Sequence, residues 1–273
     1  MSLDSDKKQI SILGCGWLGT PLATALIQKG FSVNGSTTSE NKIPILKNLD
    51  IFPYLITLSE NGIDGNIADF LKNSALLIID IPPKLRGENK ESFVAKIEHL
   101  IPYIENSAVK CVIFISSTSV YGDKNAVVTE ETNPNPETES GRQLVVSENM
   151  LQKNTKFQTT VLRFGGLIGG DRHPGKYLAG KKNLDNPTGP INLIHQVDCI
   201  GIIIKIIELG VWNEIFNAVA PDHPTREEYY IAKAILNNLP LPSFNHSNAS
   251  VGKIVDSTKL LEKLNYHFTH KLI

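Results

Sequence analysis

The sequence predicts an α/β protein with a doubly wound parallel sheet and a smaller C-terminal domain. Short apolar runs alternate with segments of helical periodicity over the first 164 residues. A Gly-rich turn joins the first apolar run to the first helical segment, and a stretch rich in Gly and Pro interrupts the alternation after residue 164. These features indicate parallel strands connected by helices, followed by a second unit.

The first elements make one β-α-β unit. Residues 9–13 predict a strand, residues 18–29 predict a helix that ends at Gly30, and residues 31–34 predict the second strand. Two further apolar runs, at 76–81 and 110–115, are too short for buried helices and predict central strands. The remaining elements of this half are a crossover helix at 91–104, a helix at about 141–152 and a strand at 159–164.

The chain changes character at residue 165. Residues 165–190 carry many Gly, Pro and charged residues, which predicts a loop region at the start of a smaller domain. We therefore expect a dinucleotide-binding domain at 1–164 and a substrate domain at 165–273, from which one helix, at about 198–209, returns to the sheet. Two more helices are predicted, at 225–238 and 257–264.

Composition favours a small-molecule ligand. Lys and Arg (27) nearly balance Asp and Glu (28), so no net charge attracts nucleic acid or a membrane surface. The N-terminus MSLDSDKK is polar and no apolar run reaches the length of a membrane span, which predicts a cytoplasmic protein. Three scattered cysteines predict buried thiols. No metal site is expected, since the histidines lack ligand spacing and His267 and His270 lie near an end expected to be mobile.

The turn Gly14-Cys-Gly16-Trp17-Leu18-Gly19 follows a strand and opens a helix. In this setting Gly14 allows the tight turn, Gly16 lets the backbone approach a diphosphate, and Gly19 lets helix and strand pack closely. The free N–H groups at the helix N-terminus favour the negative charge of that diphosphate. A tight turn with three incidental glycines is the alternative, but the β-α-β context favours nicotinamide dinucleotide binding.

The second strand bears on the choice between NADP and NAD. An acidic residue at its end would bind the ribose of NAD, but Ser36, Thr37 and Thr38 stand there instead, with Lys42 nearby. Their hydroxyl groups suit a 2′-phosphate, although Glu40 lies close to the spacing of an NAD-type acid. The sequence favours NADP, with NAD as the alternative.

A Ser-rich segment, ISSTSVYG, follows the strand at 110–115. Ligands of open α/β sheets bind beyond the carboxyl ends of the strands, so this segment is placed for chemistry. A polar loop that happens to be rich in serine is the alternative.

With this segment the chain resembles the extended short-chain dehydrogenases/reductases, and more narrowly the shorter, atypical members of the NAD(P)-dependent epimerase/dehydratase family. The resemblance follows the family's order over roughly residues 9–230. The similar stretches are GCGWLGTPLA, FISSTSVYGD, TEETNPNPET, LRFGGLIGGDRHP, INLIHQVD and IFNAVAPDHPTREE. It implies a Rossmann-type domain, a smaller substrate domain and a small-molecule substrate such as a nucleotide sugar.

The resemblance also implies roles for single residues. Ser117 matches the family's catalytic Ser/Thr, which hydrogen-bonds the reacting hydroxyl or carbonyl. Arg172 matches a basic residue that would hold a substrate phosphate or carboxylate. His195 matches a family histidine, although a hydrogen bond to its own loop is an equal alternative. The segment Ile81-Pro82-Pro83 lies where the chain passes the nicotinamide ribose.

One departure from the family is prominent. Its acid/base pair is Tyr-x-x-x-Lys, but alignment on Glu148 places Ser140 and Leu144 at those positions. Tyr121 is the nearest remaining phenol and, with His195, is a candidate replacement, although it belongs to a structural turn. Two functions follow: an oxidoreductase or epimerase with altered acid/base residues, or a dinucleotide-binding sensor or scaffold that lost the chemistry.

Overall fold

The computed structural model of the chain describes residues 9–85 and 90–273, so the polar N-terminus discussed above lies outside the described residues. In chain order the strands are β1 (Gln9–Leu13), β2 (Ser32–Thr37), β3 (Phe52–Leu55), β4 (Thr57–Ser59), β5 (Gly62–Asp64), β6 (Leu76–Ile79), β7 (Cys111–Ser117), β8 (Ala126–Val128), β9 (Gln158–Phe164), β10 (Gly166–Ile168), β11 (Leu193–His195), β12 (Ile215–Ala218) and β13 (Lys253–Val255). The helices are α1 (Gly19–Gln28), α2 (Ile43–Lys47), α3 (Ile67–Leu71), α4 (Phe93–Glu105), α5 (Glu139–Lys153), α6 (Gly175–Leu178), α7 (Gln196–Leu209), α8 (Arg226–Leu236) and α9 (Thr258–Leu264).

The main sheet has seven strands within the described residues, in the order β3-β2-β1-β6-β7-β9-β12, and every neighbouring pair is parallel. The chain builds outward from β1 to β3, returns to β6 on the other side of β1, and then builds outward to β12. The predicted doubly wound parallel sheet is thereby confirmed. The strand order reverses between β1 and β6, where such sheets leave a crevice beyond the carboxyl ends of the strands.

Side chains of the central strands are buried on both faces of the sheet. In β6, Leu76 and Ile78 pack into the core layer that contains α1 and α7, whereas Leu77 and Ile79 pack into the layer that contains α4 and α5. The alternation follows from the two-residue period of a strand, and burial on both faces explains the continuous apolar run. These layers fix the ends of β1, β6 and β7, which carry the site.

Two strands of the main sheet were not predicted. Strand β3 has the sequence FPYL, and its proline and exposed Phe52 are typical of an edge position. Strand β12 is only four residues long, but it pairs with β9 and so adds residues of the C-terminal half to the main sheet. Helix α7 packs beside α1 on one face of the sheet. The division at residue 164 stays a prediction.

The C-terminal segment is held by Asp198, which corrects the expectation that it is mobile. This buried carboxylate in the first turn of α7 accepts hydrogen bonds from the Tyr266 hydroxyl (3.0 Å), the Thr269 N–H (2.8 Å) and hydroxyl (2.9 Å), and the His270 N–H (3.3 Å). A buried carboxylate with several donors makes a strong anchor.

The three cysteines are free and buried, as predicted. Across the described ranges, none of the helices combines the length and the apolar composition needed to cross a bilayer.

Candidate functional site

A cavity of about 490 Å³ opens beyond the carboxyl ends of β1, β2, β6 and β7. Its size is ordinary for a small-molecule or cofactor site. It receives most of the predicted site residues: Gly14, Gly16, Trp17, Leu18, Ser36, Thr37, Thr38, Ile81, Pro82, Pro83, Ser117 and Arg172. These residues thus line one cavity at the carboxyl edge of the sheet, and their roles stay predictions.

The Gly-rich turn forms the wall of this cavity next to α1. Gly14 has a φ of +110°, and a Cβ there would collide with the Asp80 carbonyl oxygen. A Cβ at Gly19 would collide with the Gly14 carbonyl oxygen, so these two glycines are required by the fold itself. Gly16 differs, because a Cβ there would have no atom of the described residues within 4 Å apart from those of its chain neighbours. The space above Gly16 is open to a ligand.

Charged residues of the lining are mostly cationic. Lys42, Lys84, Lys96 and Arg172 line the cavity, and Asp80 is the one acid among its described lining residues. This balance fits an anionic ligand. Lys96 lies on α4, and its Nζ is 2.5 Å from Glu91 Oε2.

Asp80 was missed by the sequence analysis. It directly follows β6, and its carboxyl group accepts a hydrogen bond from the Gly19 N–H at the start of α1. Burial raises the pKa of Asp80 to about 7, although the Gly19 N–H and the Arg172 guanidinium act in the opposite direction. An acid immediately after a central strand was the available signal, because that position faces the ligand edge of the sheet.

Arg172 lies against the Gly-rich turn. Its guanidinium carbon is 4.2 Å from the centroid of the Trp17 ring, in a cation–π contact. The neighbouring Asp171 accepts a hydrogen bond from Trp17 Nε1 at 2.9 Å. The loop that follows β10 is thus attached to the turn between β1 and α1.

The hydroxyl residues at the end of β2 have different surroundings. The buried Ser36 hydroxyl accepts the Gly14 N–H at 2.9 Å, so it supports the Gly-rich turn. Thr37 accepts the Ser39 N–H at 3.2 Å, whereas Thr38 is exposed. Lys42 lines the cavity beside them, and Glu40 is outside the described lining. Thr38 and Lys42 are the groups here best placed for an incoming phosphate.

Ser117 reaches the cavity from the end of β7, and its Oγ accepts the Ser119 N–H at 3.1 Å. Leu144 of α5 also lines the cavity, whereas Ser140 is outside the described lining. The position aligned with the family's lysine therefore faces the site but carries an apolar side chain.

Tyr121 is outside the described lining of the cavity, and its role as a proton donor stays a prediction. Its hydroxyl donates to Asn217 Oδ1 at 2.9 Å and accepts from Arg163 Nη1 at 2.6 Å, and only 3% of the residue is exposed. Arg163 in turn forms a buried ion pair with Glu148, at 2.6 Å between Nη2 and Oε2. The Tyr121 hydroxyl is therefore part of a buried hydrogen-bond network with Arg163 and Asn217.

His195 is likewise outside the described lining, and its position in the cleft stays a prediction. Its Nδ1 accepts the Val197 N–H at 3.2 Å, which caps α7, and its ring stacks on His270 with 3.6 Å between centroids. Burial, followed by the nearby His270, lowers the pKa of His195. The observed hydrogen bond of this histidine is a helix cap and differs from the expected bond to the preceding loop.

Known proteins share this architecture over nearly the whole chain. Protein YeeZ of Escherichia coli K12 is 34% identical over 265 residues, which cover 96% of each chain. UDP-glucuronic acid 4-epimerase of Bacillus cereus, solved with UDP-glucuronic acid and NAD, is 16% identical with a TM-score of 0.80, over 97% of this chain and 95% of that one. A protein of Silicibacter pomeroyi described as functionally unknown is 21% identical with a TM-score of 0.79, over 96% and 94% of the two chains. No family model matches the sequence.

The sheet order and the TM-score show that the chain has the same fold as solved nucleotide-sugar epimerases. Within that class, the chain belongs to the family of Escherichia coli protein YeeZ.

Proposed function

We propose that this protein binds NADP in the cavity beside the Gly-rich turn and acts as an oxidoreductase or epimerase on a hydroxylated small molecule, such as a nucleotide sugar. The observation that supports dinucleotide binding is the open space above Gly16, at the N-terminus of α1. Helix N-termini offer free N–H groups to a diphosphate, and the cationic lining adds to that attraction.

The proposed preference for NADP rests on the end of β2. Thr38 and Lys42 offer a hydroxyl and an ammonium group at the cavity, and the acid at Glu40 is outside the described lining. A 2′-phosphate favours such donors, whereas the 2′-hydroxyl of NAD favours a carboxylate acceptor. Ser36 contributes indirectly, by holding the Gly14 N–H.

The proposed chemistry rests on Ser117, which would hydrogen-bond the reacting hydroxyl or carbonyl of the substrate. Bound NADP would supply the hydride acceptor. The Bacillus cereus epimerase of the same fold was solved with a UDP-sugar, which supports a nucleotide sugar as the substrate class to test first. The buried, free cysteines are compatible with a reducing compartment, and the cytoplasmic location stays a prediction.

A catalytically inactive sensor or scaffold is the second candidate function. It is favoured by Leu144 at the cavity wall and by the burial of Tyr121 in a separate network. Such a protein would keep dinucleotide affinity while losing proton transfer.

Titration with NADPH and NADH tests dinucleotide binding directly. The wild type is expected to bind NADPH, Gly16→Ala to bind it more weakly, and Gly16→Val not to bind it, because each added carbon occupies the space that the diphosphate needs. Thermal melting is the folding control, and the open space predicts unchanged melting temperatures. Equal affinity in folded Gly16→Val and wild type would contradict the proposal.

The cofactor preference is tested with Lys42→Ala. Charge-assisted hydrogen bonds contribute roughly 1.5 to 3 kcal/mol, so losing one should reduce the preference for NADPH over NADH by about tenfold or more. The matched control is Lys47→Ala, an exposed lysine of α2 outside the described lining. Equal dissociation constants for NADPH and NADH in the wild type would refute the preference.

A further inference from the structure

We propose that Arg172 is a ligand of the dinucleotide diphosphate, held in position by Trp17, and that it is not a substrate ligand. This inference rests on the proposed function, since it names a partner for the cofactor in the same cavity. The residue comes from the C-terminal half of the chain, so the proposal makes that half part of the cofactor site.

The position of the guanidinium is the first argument. Trp17 lies between Gly16 and Gly19, and its ring is 4.2 Å from the Arg172 guanidinium carbon. Arg172 therefore stands beside the N-terminus of α1, where a diphosphate is expected. Ser117 is the last residue of β7, which lies two strands away from β1, a separation of roughly 10 Å at ordinary strand spacing. We therefore place Arg172 nearer to the expected diphosphate position than to Ser117, the proposed reaction centre.

The attachment of the loop is the second argument. Gly169 and Arg172 exchange two backbone hydrogen bonds, at 3.1 and 3.0 Å, which makes a tight turn. Asp171 accepts the Trp17 Nε1–H, and Gln196 Nε2 donates to the Trp17 carbonyl oxygen at 2.6 Å. The arginine is thus positioned before any ligand arrives, and a preorganised donor loses less conformational freedom on binding.

Charge balance is the third argument. The Asp80 carboxyl group lies beneath the turn and accepts the Gly19 N–H, so a diphosphate would approach an existing acid. A diphosphate at this helix terminus would add negative charge beside the Asp80 carboxyl group, and the Arg172 guanidinium, which acts to lower the pKa of Asp80, is a cation near enough to offset that charge. Its planar donors suit two phosphate oxygens at once.

Binding of NADPH and of ADP-ribose to Arg172→Ala tests the proposal, because ADP-ribose has the diphosphate but no nicotinamide or substrate. We expect the dissociation constants of both probes to rise at least about tenfold, with a partial recovery in Arg172→Lys. The matched control is Arg142→Ala, whose guanidinium pairs with Glu139 on the exposed face of α5. Thermal melting establishes that each variant is folded.

Unchanged affinity for both probes in folded Arg172→Ala, with wild-type binding intact, would overturn this inference and leave the proposed function standing. Wild-type protein that binds neither probe would overturn both. A second readout uses Trp17 itself: its emission should change when ADP-ribose binds, and Trp17→Phe should remove that change, leaving the signal of buried Trp212. An ADP-ribose response retained in Trp17→Phe would also count against the proposal.

Discussion

Asp80 places a carboxyl group at the start of α1, close to where the proposed diphosphate would lie. Burial raises its pKa to about 7, whereas an unfolded aspartate titrates near 3.8. The folded protein therefore holds one proton more than the unfolded chain between these two values. The protonation state of Asp80 therefore links the packing of the Gly-rich turn to the charge of the proposed ligand.

The first consequence concerns stability. Because the folded-state pKa of Asp80 is raised, the contribution of this residue to the free energy of unfolding is most favourable below about pH 4. That contribution is lost as pH rises to about 7. Asp80→Asn keeps an acceptor for the Gly19 N–H but does not titrate. We expect the variant to be more stable than wild type at pH 8, by up to a few kcal/mol, and the difference to shrink at pH 5.

Urea unfolding at pH 5 and pH 8 measures this difference. Asp222→Asn, an exposed aspartate, is the control and should show no such trend. A variant that is less stable than wild type by the same amount at both pH values would contradict the raised pKa.

At the scale of elements, a buried polar network joins α5, β7, β9 and β12. Glu148 of α5 pairs with Arg163 of β9 and accepts the Ser116 hydroxyl of β7 at 2.5 Å. Arg163 also donates to Tyr121, whose hydroxyl donates to Asn217 of β12. The network holds the serine segment in place through Ser116, and its charged residues Glu148 and Arg163 are outside the described lining of the cavity.

Breaking this network should cost stability and leave binding intact. Glu148→Gln leaves the Arg163 guanidinium buried without its counter-charge, and such losses are about 3 to 5 kcal/mol. The control, Glu139→Gln at the exposed start of α5, should change the free energy of unfolding by less than about 1 kcal/mol. We expect the folded variant to bind NADPH like wild type. A loss below about 1 kcal/mol for Glu148→Gln would show that the network is not structural.

The elements also show what could be predicted from the sequence. The first β-α-β unit and the central strands carry strong local signals, apolar runs and a Gly-rich turn, and these were placed correctly. Strands β3 and β12 were missed because their pairing depends on neighbours far along the chain. Tyr121 was named as the nearest remaining phenol and His195 by its match to a family histidine. Their hydrogen bonds to Asn217 and to the Val197 N–H depend on tertiary contacts and helix capping that the sequence analysis did not identify.

At the scale of the whole molecule, the fold is shared with a solved UDP-sugar epimerase, while the positions that the family resemblance assigns to the acid/base pair hold Ser140 and Leu144. A serine hydroxyl is a far weaker acid than a phenol beside an ammonium, and general acid/base catalysis typically contributes about 10² to 10⁴ in rate. Turnover of the family's usual kind is therefore expected to be slow or absent.

Assays with UDP- and dTDP-sugars, simple ketones and alcohols, followed by the absorbance of the reduced cofactor, test this expectation. Since Tyr121 and His195 are outside the described lining, Tyr121→Phe and His195→Ala should leave any turnover per folded protein within about twofold, whereas Ser117→Ala should reduce it by about tenfold or more. Loss of turnover in folded His195→Ala alone would return that histidine to the site.

The central claim is that the cavity beside the Gly-rich turn holds a nicotinamide dinucleotide. Crystals grown with NADPH test it most directly. We predict the diphosphate above Gly16 and within hydrogen-bond distance of the Arg172 guanidinium, the adenosine end beside Thr38 and Lys42, and the nicotinamide toward Ser117. NADPH bound outside this cavity, or an empty cavity at saturating NADPH, would contradict the account.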